Sequence, residues 1–188
     1  TDVGGMISIT VSGAVNVRKS GVNNGRIDVS ANNRAGVIQI NAGSVTLAGK
    51  LNADNLAIGA SGGTIVVVTT GGITSLTASV LSANGGTTSL TGGIIDFQAG
   101  GTIDLQSTAA LVADGRQVAV VNEANGGTIR LVSGTAPPRT GSISHNAGLF
   151  EVNGGPGGEG GSIDMIAGGA ITTLKPITAT GGSDGGDV

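Results

Sequence analysis

Hydrophobic and polar residues alternate with a period of two along most of the chain, in short runs that begin at glycine. The clearest runs are GGMISI at 4–9, GRIDV at 25–29, GGTIVV at 62–67, GGIIDF at 92–97, GGTIDL at 100–105, GGTIRL at 126–131 and GGSIDM at 160–165. Strict alternation over about four to six residues is typical of short β-strands with one buried face. The best helical candidate, at 108–124, is interrupted by Gly115. The pattern therefore predicts an all-β protein.

Recurrence of these glycine-led units indicates a repeat architecture. Their irregular spacing, near 20 residues, favours a parallel β-solenoid (β-helix) of about nine irregular coils, in which each coil covers the inward face of its neighbour. We expect one such segment over 1–188. The alternation gives the inward, core-forming candidates as Ile27, Val29, Ile65, Val67, Ile103, Leu105, Ile129, Leu131, Ile163 and Met165.

Turn residues separate the predicted strands. SANGGT at 82–87 and EANGGT at 123–128 are nearly the same sequence, and we expect their glycines to adopt the positive φ that tight corners need.

Two stretches, 133–142 and 153–162, interrupt the alternation and predict loops that project from the stack. Proline cannot donate to a central sheet ladder. Any contact specific to this protein is expected in these loops, at Pro137, Pro138, Arg139, Pro156 and Glu159.

Composition narrows the classes of partner. Glycine supplies 37 of 188 residues, yet 38% are hydrophobic, so a core can form. A formal net charge of -3 and an aromatic content of 1% argue against a nucleic-acid partner. No apolar run approaches the roughly 20 residues of a membrane-spanning helix, so no membrane insertion is expected. Cysteine is absent, which excludes thiolate metal sites, and no cofactor is predicted.

Four aspartates follow an isoleucine in these units and are candidates for chemistry: Asp28, Asp96, Asp104 and Asp164. In a strand they point outward, while the isoleucines point inward. Corresponding places in other units hold Arg130, Val66 and Ser8, so one solvated face is favoured over a catalytic row. The alternative is a polysaccharide lyase or hydrolase on the same fold, since glycoside hydrolysis needs two carboxyl groups at close range.

Metal and base chemistry have weaker candidates. GGPGGEGGSID at 154–164 is partly similar to the calcium-binding nonapeptide repeat, but Glu159 replaces the aspartate and the unit is not repeated in tandem. Asp184 and Asp187 would be the other carboxylates for an incidental cation. His145 is the only histidine, and without neighbouring ligands it is expected at a corner or on the surface. We predict no metal site and no catalytic residue.

The glycine-led units and the SANGG turns resemble the repeats of filamentous haemagglutinin-type exoproteins of two-partner secretion, and those of autotransporter passengers. The resemblance implies a right-handed parallel β-helix, export from a Gram-negative-like bacterium to the cell surface or medium, and an adhesive or filamentous role. It covers most of the chain, although neither a secretion-domain signature nor the strands of an outer-membrane barrel are recognisable.

The function expected from these observations is a non-enzymatic extracellular scaffold, a segment of an adhesin or a surface filament. Its expected partners are a ligand on a host or neighbouring cell, and further copies of itself joined end to end. Neither end has an obvious cap. We therefore expect an internal segment whose stack continues, or a self-assembling fibre subunit.

Overall fold

The computed structural model describes residues 3–20, 23–56, 60–76, 78–86, 91–106, 109–115, 124–146, 148–182, 186 and 188. Within them the chain is all-β, with no helix. In chain order the strands are β1 (Met6–Thr10), β2 (Ala14–Val17), β3 (Lys19–Ser20), β4 (Asn23–Asn24), β5 (Arg26–Asp28), β6 (Val37–Ala42), β7 (Ser44–Leu47), β8 (Lys50–Asn52), β9 (Thr64–Thr69), β10 (Ile73–Ser75), β11 (Val80–Ser82), β12 (Ile94–Ala99), β13 (Ile103–Leu105), β14 (Ala110–Val112), β15 (Thr128–Ser133), β16 (Ile143–His145), β17 (Leu149–Glu151), β18 (Ser162–Ala167) and β19 (Ile171–Thr173).

Parallel pairing arranges these strands into three sheets. Sheet 1 has the order β1-β6-β9-β12-β15-β18, sheet 2 the order β2-β7-β10-β13-β16-β19, and sheet 3 the order β5-β8-β11-β14-β17. The chain visits the three sheets in turn and then returns one strand further along sheet 1. This path is the predicted β-solenoid. The two short strands β3 and β4 form an antiparallel pair inserted between β2 and β5.

The solenoid has about five turns rather than the nine expected. Ile94 lies beside Thr64 on one side and Thr128 on the other, so one turn uses about 30 residues. Glycine pairs misled the count because they occur at two corners of one turn. Gly92–Gly93 precedes the sheet 1 strand β12, and Gly100–Gly101 precedes the sheet 2 strand β13.

Side-chain alternation places continuous apolar rows inside the solenoid. The innermost row of sheet 1 is isoleucine at every level: Ile7, Ile38, Ile65, Ile95, Ile129 and Ile163. The row beside it contains Phe97, whose side chain is fully buried. Fully burying one Ile, Leu, Val or Phe side chain contributes about 1.5–3 kcal/mol. The core is therefore a column of aliphatic ladders.

The exposed fraction of the ten residues expected in the core depends on their level in the stack. Ile65, Val67, Ile103, Leu105, Ile129 and Leu131 have 0% exposure, and Val29 and Ile163 have 5% and 4%. Ile27 and Met165 are half-buried and pack against the same cluster. Ile27 lies in the first level of sheet 3 and Met165 in the last level of sheet 1, so a neighbouring strand covers each on one side only.

Corner glycines are required by close approach of the backbone rather than by positive φ. A Cβ atom on Gly126 would overlap the carbonyl oxygen of Val152, and one on Gly63 would overlap that of Gly36. Among the described glycines a left-handed φ occurs at Gly134 (73°), away from these corners. The expectation of positive φ was wrong at Gly126 and Gly127; glycine is needed there because adjacent turns stack only about 4.8 Å apart and leave no space for a side chain.

Candidate functional site

The outward face of sheet 1 carries a row of paired charges. Asp96, Arg130 and Asp164 occupy the same position on β12, β15 and β18. Arg130 Nη1 lies 3.5 Å from Asp96 Oδ1, and its Nε lies 3.6 Å from Asp164 Oδ2. Gln98 Nε2 donates a hydrogen bond of 2.8 Å to Asp96 Oδ2. Both carboxylates thus face one guanidinium group on a partly exposed surface.

The other two predicted aspartates lie on different sheets. Asp104 is on sheet 2, between Thr74 and Ser144. Asp28 is on sheet 3 and pairs with Arg26. Burial alone would raise the pKa of Asp28, but hydrogen bonds from Ser30 and the charge of Arg26 outweigh it and hold this pKa below its usual value. The four carboxylates point outward as expected, but on three separate faces, so they do not form one site.

A hydrogen-bonded row of polar side chains, the polar ladder, lines the corner after sheet 3. Its members are Ser30, Asp54, Asn84, Asp114, Asn153 and Thr180. Each of the first five accepts, through its side-chain oxygen, the backbone N–H of the member one turn further on, at distances from 2.6 to 3.3 Å. The ladder therefore connects every turn to the next outside the sheets.

Sequence reasoning missed this ladder, although a signal for it exists. Each ladder residue is the last of a tetrapeptide with a common pattern. The first position is apolar, the second is variable, the third is Ala or Val, and the fourth is the ladder residue, Ser, Asp, Asn or Thr. The tetrapeptides are IDVS at 27–30, LNAD at 51–54, LSAN at 81–84, LVAD at 111–114, FEVN at 150–153 and ITAT at 177–180. The period of this unit is the true length of a turn.

The carboxylate of Glu151 interacts with that of the ladder residue Asp114. Glu151 is in β17, one level above β14 and the ladder residue Asp114. Burial, and then the negative charge of Asp114, raise the pKa of Glu151 above its usual value. Within the described residues no group of three or more His, Cys, Asp or Glu could hold a metal ion. Asp184 and Asp187 lie outside those residues.

His145 is buried in the core, contrary to the expectation of a surface or corner position. It ends β16 at an inward position, with 0% exposure, and its ring centroid is 4.8 Å from that of Phe150. Burial lowers the pKa of its imidazole. The alternation of β16 decides its direction, since Ile143 and His145 share one parity and both point inward.

The two predicted contact loops are anchored at their bases and exposed at their tips. In the first, Ser133 Oγ donates a 2.9 Å hydrogen bond to the Gly101 carbonyl, and Pro137, Pro138 and Arg139 are exposed.

In the second loop, buried Gly155 donates a 2.6 Å hydrogen bond to Ala124 O, and Gly182 donates to buried Gly158. Pro156 and Glu159 are exposed. Each loop therefore has a short exposed tip.

No family model, curated protein or solved structure matches the chain. In the part of the chain that the structure describes, no helix is long and apolar enough to cross a membrane.

Two grooves flank the first contact loop, and a third lies apart from it. One, of about 590 Å³, lies between Val68 on the outer face of sheet 1 and the loop residues Thr135 and Ala136. Another, of about 370 Å³, lies beyond the loop and is lined by Arg139 and Ile166. A third, of about 700 Å³, follows the glycine corner before sheet 1. The walls are mainly small aliphatic, hydroxyl and backbone groups, which can bind a ligand by shape but offer no paired acid and base.

Proposed function

We propose that this chain is a non-enzymatic structural scaffold, a segment of a bacterial adhesin or surface filament that holds contact loops on a rigid solenoid. The observation that carries the proposal is the continuity of two rows along the axis. The isoleucine row of sheet 1 and the polar ladder each have a member at all six levels. A repeat stack is stable only through contacts between neighbours, so such rows resist its separation.

The resemblance of the glycine-led units to filamentous haemagglutinin-type repeats supports the same role. It also supports a right-handed coil and a location at the surface of a Gram-negative-like cell. The proposed contact residues are the exposed members of the two loops, with Arg139 and Glu159 supplying opposite charges. The proposed partners are a ligand on a host or neighbouring cell, and further copies of the chain joined end to end.

Binding to intact cells tests the adhesive role. Labelled chain is incubated with bacterial cells and, separately, with cultured epithelial cells. We expect saturable binding to one of them that falls at least tenfold when Arg139 and Glu159 are both changed to alanine. The matched control changes Thr74 and Thr172, outward residues of sheet 2, to alanine and should bind normally. Absence of saturable binding to both cell types contradicts the adhesive role.

An activity screen tests the rival, a polysaccharide lyase or hydrolase. Acidic and neutral polysaccharides are incubated with the chain and assayed for new reducing or unsaturated ends. The scaffold proposal expects none. Turnover that disappears in Asp104→Asn, or in Asp96→Asn, would establish the enzyme instead. Electron microscopy of the same sample distinguishes long filaments from separate particles, and so tests joining end to end.

A further inference from the structure

His145 brings a titratable group into a core of aliphatic side chains and Phe150. Its side chain has 0% exposure, and neither Nδ1 nor Nε2 has a hydrogen-bond partner among the described residues. A buried imidazole can remain neutral without a partner at modest cost, but a buried imidazolium needs an anion or an acceptor. Whether the closed structure tolerates protonation of His145 therefore depends on the groups around the ring.

The strands packed against His145 present no ionisable side chain to the ring. Their inward residues are Leu105 on β13, Thr173 on β19, Phe150 on β17, and Ile163 and Met165 on β18. The ionisable residues of these strands are Asp104, Glu151 and Asp164, which alternate with the inward residues and point outward. On these four strands no carboxylate is thus placed to stabilise a protonated ring.

The strand that covers His145 on one side is held weakly. β19 has three residues, and all of them are exposed. It pairs with β16 so that Thr173 lies beside His145, and the Leu174 N–H donates a 2.9 Å hydrogen bond to the His145 carbonyl. β13 also pairs with β16 over three residues, but β10 covers its far side, whereas no described strand pairs with the far side of β19. Separation of β19 from β16 is consequently the local opening that exposes the ring with the smallest loss of contacts.

We propose that His145 makes the joint between β16 and β19 acid-sensitive, so that the solenoid loosens there when the pH falls below about 6.5. This goes beyond the scaffold role, because it gives one coil of the stack a response to acid. It predicts that β19 separates from β16 in an acidic medium, while the strands of the earlier turns stay paired.

Linkage fixes the direction of the effect. Burial lowers the pKa of His145 from the ordinary value of 6.5, which the ring regains when the joint opens. The open state therefore binds the proton more tightly than the closed state. The closed joint loses stability as the pH falls through 6.5 and keeps losing it until the lower pKa of the closed state is reached. Above pH 7 the effect becomes small, because few rings of the open state are protonated there.

Hydrogen exchange at pH 5 and pH 7, corrected for intrinsic rates, tests the proposal on the full chain. The protection factor of the Leu174 amide should fall by up to about 25-fold at pH 5, the ratio expected for an open-state pKa of 6.5. The Thr64 amide, bonded to Gly36 in earlier turns, is the internal reference. In His145→Leu the extra pH dependence should vanish, and Leu105 one turn earlier shows that the row accepts leucine. Equal pH dependence in both proteins overturns the proposal.

A second measurement is independent of whether that variant folds. Because His145 is the only histidine, its ring proton resonances in the NMR spectrum of the unaltered chain are unambiguous. They should titrate with a midpoint below 6.5, or change only as the joint opens. A reversible titration at 6.5 or above in the closed protein contradicts the proposal.

Discussion

Replacing Asp114 with alanine removes one connection of the polar ladder. Asp114 Oδ1 accepts the backbone N–H of Asn153 at 2.6 Å, and Asn153 is half-buried. A hydrogen bond to a charged acceptor contributes about 1.5–3 kcal/mol, and partial access to water should place the loss near 2 kcal/mol. For a chain of 188 residues that corresponds to a fall in Tm of about 4–8 °C. Urea and thermal unfolding followed by circular dichroism measure both quantities.

The matched variant is Asp114→Asn, which keeps the oxygen and removes the charge. Asparagine already serves as the acceptor at Asn84 and Asn153, so most of the stability should remain. The pKa of Glu151 should also move back toward its ordinary value, because the Asp114 charge helps to raise it. If the alanine and asparagine variants unfold at the same urea concentration, the ladder hydrogen bond does not stabilise the stack and the reasoning fails.

Three further changes test other parts of the structure. Ile103→Asp should prevent folding, since it buries an unpaired carboxylate, whereas Thr102→Asp at the exposed neighbouring position should fold; circular dichroism distinguishes them. Glu151→Gln should raise stability at pH 7 by less than about 1 kcal/mol and have no effect near pH 3, because a raised folded pKa costs stability only above the unfolded value. Arg130→Met should lower stability by less than about 1 kcal/mol, and less still in 1 M NaCl; a larger, salt-independent loss would contradict a surface role for its ion pairs.

The fold could be predicted because it depends on local rules. Alternation around Ile103 and Leu105 fixes which side chains point inward, and glycine marks where strands end. The glycine-led units could not give the number of turns, although the period of the tetrapeptides from IDVS to ITAT does. Glycine pairs mark two kinds of corner, and nothing in GGTIDL distinguishes the sheet 2 strand it begins from the sheet 1 strand that GGIIDF begins.

The positions and partners of individual site residues were harder to predict, because the residues around each of them belong to other turns. Asp96 and Asp164 are 68 positions apart in the chain, yet both face Arg130. His145 looked isolated in the sequence and was expected at a corner or on the surface, but the parity of β16 turns it inward toward Phe150. That parity was available from SISHNAG, where Ile143 precedes His145 by two positions, and it would have placed the histidine correctly.

The corner that carries the polar ladder also bears on how the chain ages chemically. Asn84, Asn125 and Asn153 each precede a glycine, the sequence in which asparagine deamidates most readily, because the glycine nitrogen can attack the side-chain carbonyl. Here the following glycine N–H groups donate to Asp114 O, Glu159 O and Thr180 O, at 2.8–2.9 Å. The nitrogen is held away from the side chain it would attack. Where attack does occur, the cyclic intermediate opens mainly to isoaspartate, whose extra backbone methylene would not fit these tightly stacked corners, so the hydrogen bonds that hold the glycine nitrogen also protect the shape of the stack.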